Sequence, residues 1–192
     1  MKRLTILIDM DDTIAGLVEA WVSYLNSHYG TKVSTQDITD WNIKDFFPDI
    51  SVDDVYGALE DEELWKMVRP KDEAVYYVKK LIDDGHRVYI LTSSYYKSIV
   101  QKMEHVLFKY FPYITWNDVI IAHDKQMVRG DILIDDGVHN HEGGNHIGIL
   151  MDAPHNKWFD ATANGITRMK TWKEIYRFIC DICEDRNREV VK

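Results

Sequence analysis

The sequence predicts an α/β protein built on a mostly parallel sheet, with a small helical insertion after the first strand. Three observations predict it. Short apolar runs at residues 4–8, 88–91, 119–122, 132–134 and 147–150 alternate with helical patterns. Strands separated by helices need crossover connections, and these give parallel neighbours. Polar residues gather just past the carboxyl ends of the runs, where open α/β sheets bind ligands. The stretch from about Thr31 to Arg69 carries short helical patterns and no strand alternation.

The first element organises the rest. Thr5 to Thr13 reads T-I-L-I-D-M-D-D-T. Its apolar part suits a parallel strand covered on both faces. Asp9 and Asp11 fall just past that strand. Charge at the mouth of a core strand is costly without a partner, so two aspartates there, with Asp12 beside them, ask for a cation. The bland alternative is an acidic turn that caps the next helix. Leu17, Val18, Trp21, Tyr24, Leu25 and His28 then recur at helical spacing, with Gly30 as the stop.

Within the insertion, Val52, Val55, Tyr56 and Leu59 make a short helix with Ser51 as N-cap. Trp41, Phe46, Phe47 and Trp65 are scattered between acidic residues. The acidic runs at Asp53-Asp54 and Glu60 to Glu63 read as solvated helix faces. Ala74, Val75, Val78, Leu81 and Ile82 form an amphipathic helix stopped by Gly85. The strand at 88–91 ends at Thr92, Ser93 and Ser94. Ile99, Val100, Met103, Val106, Leu107 and Tyr110 form the next helix, with Pro112 beyond it. The strand at 119–122 ends near His123, Asp124 and Lys125, and the strand at 132–134 ends at Asp135 and Asp136. The strand at 147–150 ends at Met151 and Asp152. Trp172, Ile175, Tyr176, Ile179 and Cys183 make the closing helix. The expected division is a core of residues 1–16 and 70–192 and a helical cap of residues 17–69.

Composition bounds the partners. The chain has 192 residues and a formal charge of −9, which disfavours nucleic-acid polymers and anionic membranes. A small anionic substrate stays compatible if a metal and local donors reverse the field. No apolar run is long enough to span a bilayer and no leader pattern is visible. Cys180 and Cys183 form a C-x-x-C inside a helix, which argues against redox chemistry. The expectation is a soluble protein of a reducing compartment, cytoplasmic, for which a homodimer stays open.

Parallel strands put Asp9, Asp11, Thr92, Ser93, Lys125, Asp135 and Asp136 on one edge of the sheet. Carboxylates with open water positions suit Mg²⁺. Hydroxyls, backbone N–H groups and a lysine suit phosphate oxygens. Phosphoryl transfer accounts for the set most economically.

These residues also resemble a family. Asp-Met-Asp-Asp-Thr, Leu-Thr-Ser-Ser, the lysine of His-Asp-Lys and Ile-Leu-Ile-Asp-Asp look like the four motifs of the haloacid dehalogenase (HAD) superfamily of phosphatases. Within it the chain is most similar to the 5′(3′)-deoxyribonucleotidases. The resemblance implies a Rossmannoid three-layer α/β/α core with a cap. It implies Asp9 as nucleophile, giving an aspartyl phosphate, and Asp11 as general acid and then base. It implies Mg²⁺ held by Asp9, the Asp11 carbonyl and Asp136, with Thr92, Ser93 and Lys125 on the phosphate. Asp135 is expected beside the metal, and which of the paired aspartates ligates stays open. The implied substrate is a small phosphorylated metabolite, a (deoxy)nucleoside monophosphate. The rivals are a phosphatase for a non-nucleotide metabolite and a non-catalytic phospho-ligand module. A receiver-like regulatory domain is a further rival, against which the insertion and Asp11 argue.

Two departures stand out. Asp12 occupies a position where family members use Gly, and Gly137 stands where many deoxyribonucleotidases have Arg, which removes an anion contact. Trp41 is the expected base-stacking residue of the cap; the other aromatics there suit a small cap core equally well. His139, His141 and His146 crowd a loop after the paired aspartates and read as solvated rather than as a second metal site.

Overall fold

A computed structural model describes residues 3–190 of the chain. Six strands form one sheet in the order β3-β2-β1-β4-β5-β6. They are β1 (Thr5–Ile8), β2 (Arg87–Thr92), β3 (Val119–Ile121), β4 (Ile132–Asp135), β5 (Ile147–Met151) and β6 (Thr167–Met169). Every pairing is parallel, with Ile8 level with both Ile90 and Ile134. The chain leaves β1 for β2 on one side and reaches β4 on the other. The carboxyl end of β1 is therefore a switch point of the topology, where such sheets open a crevice.

Alternation along the strands divides the core. Ile6, Ile8, Ile90, Ile132 and Ile134 join the main apolar cluster with helices α1 (Leu17–Tyr29), α4 (Ala74–Asp83) and α7 (Trp172–Val190). Leu7, Leu91 and Leu133 point the other way and pack with Tyr89, Ile120 and Val128. The sheet thus separates two apolar layers, as a three-layer α/β fold requires. Strand β6 escaped sequence reading because Thr167-Arg168-Met169 has no apolar run; it is held by pairing with β5.

Between β1 and α4 the regular elements are all helical, joined by irregular turns. α1 is followed by 3-10 turns and by α2 (Val52–Gly57) and α3 (Glu62–Met67). Ser51 caps α2 by accepting the Asp54 N–H at 3.0 Å. The insertion leaves and rejoins the sheet side by side: the Gly16 N–H donates to Arg69 O at 2.9 Å, and Ala15 bridges Pro70. Asp12 sits at φ 52° and accepts the Val18 N–H at 3.1 Å, so it caps α1 from a left-handed turn. Glycine enters that conformation freely and Asp tolerates it through such local bonds. The bland reading of the acidic turn thus holds for Asp12, while Asp9 and Asp11 face elsewhere.

The helix after β2 is not regular. α5 (Ile99–Lys102) passes through a π-helical stretch, Met103–Leu107, into α6 (Phe108–Tyr110). Single π turns often mark functional positions. No helix among the described residues is long and apolar enough to cross a membrane.

Candidate active site

The carboxyl ends of β1, β2 and β4 and the turn after β3 meet in one crevice of about 340 Å³. Asp9 is buried at its floor, and its N–H donates to Ile134 O at 2.8 Å, which locks β1 to β4 there. Lys125 comes from the 3-10 turn after β3 and donates to Asp9 Oδ1 at 2.5 Å and to Asp135 Oδ2 at 2.8 Å. Asp135 Oδ1 accepts the Gly137 N–H at 2.8 Å and Asn140 Nδ2 at 2.9 Å. Both oxygens of Asp135 are thus engaged by protein donors.

Asp136 is held differently. Thr13 Oγ1 donates to its Oδ1 at 3.2 Å, and His155 Nε2 lies 2.9 Å from its Oδ2. Asn156 Nδ2 donates to the Asp136 carbonyl at 2.9 Å. Arg168 of β6 fixes this turn through Asn156 Oδ1 at 2.5 Å and Phe159 O at 2.8 Å. The closing helix also reaches the first strand's turn, where Trp172 Nε1 donates to Thr13 O at 3.1 Å.

Asp9, Asp135 and Asp136 bring carboxylate oxygens within 4.8 Å of one another. Burial pushes the Asp9 carboxyl above its usual range, with Lys125 opposing. Burial pushes Asp136 up to about 7, with His155 opposing. Burial alone would weaken the Lys125 ammonium, but the Asp9 and Asp135 charges outweigh it and hold it protonated. Lys125 alone cannot balance three carboxylates, and His155 adds charge at Asp136 only when protonated. A hard divalent cation fits this all-oxygen set, and of the paired aspartates Asp135 is the more engaged, with three protein donors against one contact on each oxygen of Asp136.

At β2, Ser93 lines the crevice, whereas the Thr92 side chain is fully buried. A residue that sequence reading missed lies behind them. Lys102, fully buried, donates to Asp11 Oδ2 at 2.5 Å, to Thr92 Oγ1 at 2.7 Å and to Ser93 O at 3.1 Å. Thr92 therefore sits one layer below the position expected of a direct phosphate ligand. His155, Asn156 and Asn140 were also missed, because polar loop residues carry no periodicity.

The insertion roofs the crevice with Trp21, Ile38, Trp41, Tyr56 and Leu59. Trp41 is 59% exposed and turns its ring edge-on to His139 at 4.8 Å and His155 at 5.4 Å. Phe47 and Trp65 are buried in the core, and Trp65 Nε1 donates to Leu59 O. Of the four aromatics singled out in the insertion, Trp41 is the one that lines the crevice.

The histidine loop needs correction. It is solvated only in part: His139, Glu142 and Gly143 are exposed, whereas Val138–His141 is a 3-10 turn in which Val138 and Asn140 are buried, and His139 lines the crevice. Asn140 draws the loop in by bonding Asp135. Gly137 has a steric reason as well, since a Cβ there would meet Asn140 Nδ2 at 2.7 Å.

Known proteins match this arrangement. The profile of the family described as 5′ nucleotidase, deoxy (Pyrimidine), cytosolic type C protein matches residues 3–184. A 5′(3′)-deoxyribonucleotidase of Bacillus subtilis is 34% identical over 179 residues, covering 92% of this chain and 98% of that protein. One from Clostridium acetobutylicum is 29% identical, covering 96% and 99%. Among solved structures, a conserved haloacid dehalogenase-like protein of unknown function from Agrobacterium tumefaciens superposes with a TM-score of 0.66 at 13% identity, covering 95% and 100%. A HAD-hydrolase from Bacillus subtilis, bound to magnesium, gives 0.58 at 13% identity, covering 93% and 99%. The structural likenesses show the fold.

Proposed function

The chain belongs to the 5′ nucleotidase, deoxy (pyrimidine), cytosolic type C family of HAD phosphatases, and is a nucleotidase-type phosphatase; from that membership we propose that it hydrolyses deoxyribonucleoside monophosphates through an aspartyl phosphate on Asp9, with Mg²⁺. The observation that carries the reading is convergence: Asp9, Asp11, Ser93, Lys125 and Asp136 line one crevice under Trp41. In this reading residues 17–69 act as a cap on the remaining core, supported by the paired connections at Gly16 and Arg69.

Asp9, the Asp11 carbonyl and Asp136 would hold the ion. When bound it supplies the positive charge that lets an anionic nucleophile approach an anionic phosphate. Asp9 uses its free oxygen to attack phosphorus while Lys125 holds the other. Asp11 gives a proton to the departing nucleoside oxygen, then takes one from the water that attacks the phosphoaspartate. Asp9 is regenerated and inorganic phosphate leaves. Ser93 and Lys125 hold phosphate oxygens, and Thr92 backs them from beneath. Asp135 aims Lys125. Trp41 offers a face to the base. The same reading gives a cytoplasmic enzyme, and Cys180 and Cys183 are not joined in a disulfide.

A panel of phosphomonoesters with Mg²⁺ tests this. The expectation is turnover of dUMP and dTMP well above sugar phosphates, abolished in Asp9→Asn without loss of the folded state. Efficient turnover of sugar phosphates with none of deoxyribonucleotides would reject the substrate class. Full activity in Asp9→Asn would reject the nucleophile.

A further inference from the structure

We propose that Lys102 is a positioning residue for the reaction: it ties the Asp11 carboxylate to the end of β2 and so fixes its place beside Asp9. The inference rests on the hydrolytic reading above and deepens it.

An ammonium has three donors and no acceptor. Lys102 spends all three on Asp11 Oδ2, Thr92 Oγ1 and Ser93 O, at 2.5, 2.7 and 3.1 Å. Two of those contacts belong to the end of β2, which parallel pairing fixes beside β1. They anchor the ammonium to the rigid sheet, and its third donor anchors the carboxylate. Lys102 is 1% exposed. A lysine buried to that degree must be paired, because its charge is costly to desolvate.

The other oxygen, Asp11 Oδ1, is sealed from solvent and has no hydrogen-bond partner among the described residues. Asp11 lines the crevice beside Asp9. A buried acceptor without a partner costs about 1–3 kcal/mol, so the Lys102 contact has to hold the carboxylate against that cost. A carboxylate held in this way keeps one place beside Asp9, from which it exchanges a proton with a departing ester oxygen. A carboxylate free to rotate would present either oxygen, or neither.

The backbone supports a dedicated placement. Lys102 is the last residue of α5, and the helix turns π immediately after it, over Met103–Leu107. A π turn rotates the following side chains out of α register, so the helix can bury Lys102 toward the site and still pack Met103, Val106 and Leu107 in the core.

The test exploits leaving groups. A nucleoside oxygen needs a proton to leave; p-nitrophenolate does not. In Lys102→Met, kcat/KM for a deoxyribonucleoside monophosphate should fall about 100-fold, within the range of general acid catalysis. For p-nitrophenyl phosphate, kcat/KM should fall less than about fivefold, because it reports the first chemical step alone. The same variant should release a burst of p-nitrophenolate, since the second step still needs Asp11 as base. Equal falls on both esters would mean a merely structural lysine and would overturn the proposal.

Lys102→Met leaves Asp11 without its cation, so a second comparison removes both charges. Asp11→Asn and Asp11→Asn/Lys102→Met should have the same kcat/KM on the deoxyribonucleotide, because residues acting through one another are not additive. A further loss of about 100-fold in the double variant would reject action through Asp11. If the unaltered protein hydrolyses neither ester, the hydrolytic reading fails. If it hydrolyses both and the variants show equal falls, only the Lys102 role fails.

Discussion

Asn140 donates Nδ2 to Asp135 Oδ1 at 2.9 Å. With Gly137 N–H on the same oxygen and Lys125 on the other, Asp135 has no oxygen left for an ion. Asp136 is held by fewer groups, one on each oxygen, Thr13 at 3.2 Å and His155 at 2.9 Å, and Asp9 stands opposite. Asp136→Asn is therefore expected to abolish Mg²⁺ binding in titration calorimetry. Asp135→Asn should weaken it about tenfold, as for an outer partner, and should lower Tm because Lys125 loses a carboxylate. The reverse pattern would assign the ion to Asp135.

Trp41 is expected to act on substrate rather than on folding. It is mostly exposed and meets His139 and His155 in T-shaped contacts. Stacking on a base contributes roughly 1–3 kcal/mol. In Trp41→Ala, KM for a deoxyribonucleoside monophosphate should rise about tenfold or more. Inhibition by inorganic phosphate and Tm should not change. An unaltered KM would remove Trp41 from the base subsite.

The sheet and the crevice floor were legible in the sequence because each depends on a local pattern. Apolar runs marked five strands, and parallel order then forced Asp9, Lys125 and Asp136 together from positions more than a hundred residues apart. What was illegible depends on geometry that no local pattern records. Lys102 lies among Ile99, Val100 and Met103, where it reads as a solvated helix position; the π turn that buries it has no sequence signature. His139 and Asn140 look like polar loop residues until Asp135 draws the turn inward. The same limit left Phe47, Trp65 and Trp41 indistinguishable as aromatics, although two are core and one faces the crevice.

His141 gives the protein an acid-sensitive limb. Its Nε2–H donates to Asp135 O at 3.3 Å, while Nδ1 is sealed without a partner beside Gly148. Burial lowers its pKa from 6.5 to about 4. The unfolded chain therefore binds a proton between about pH 6.5 and 4 that the folded chain refuses. The stability from neutral His141 is complete above pH 6.5 and is lost as pH falls toward 4. The difference in unfolding free energy between the unaltered protein and His141→Gln should shrink across that window, as read by urea melts at pH 7.5, 6.0 and 5.0. A difference independent of pH would contradict the burial of Nδ1.

The central claim is a covalent bond between Asp9 and phosphorus, and trapping it is the most direct test. Turnover of a deoxyribonucleotide labelled with ³²P on its phosphate is quenched in acid, and the protein is digested. The account predicts hydroxylamine-labile label on the peptide containing Asp9, and none in Asp9→Asn. Hydrolysis that proceeds with no label on the protein, or with label on any other residue, would contradict it.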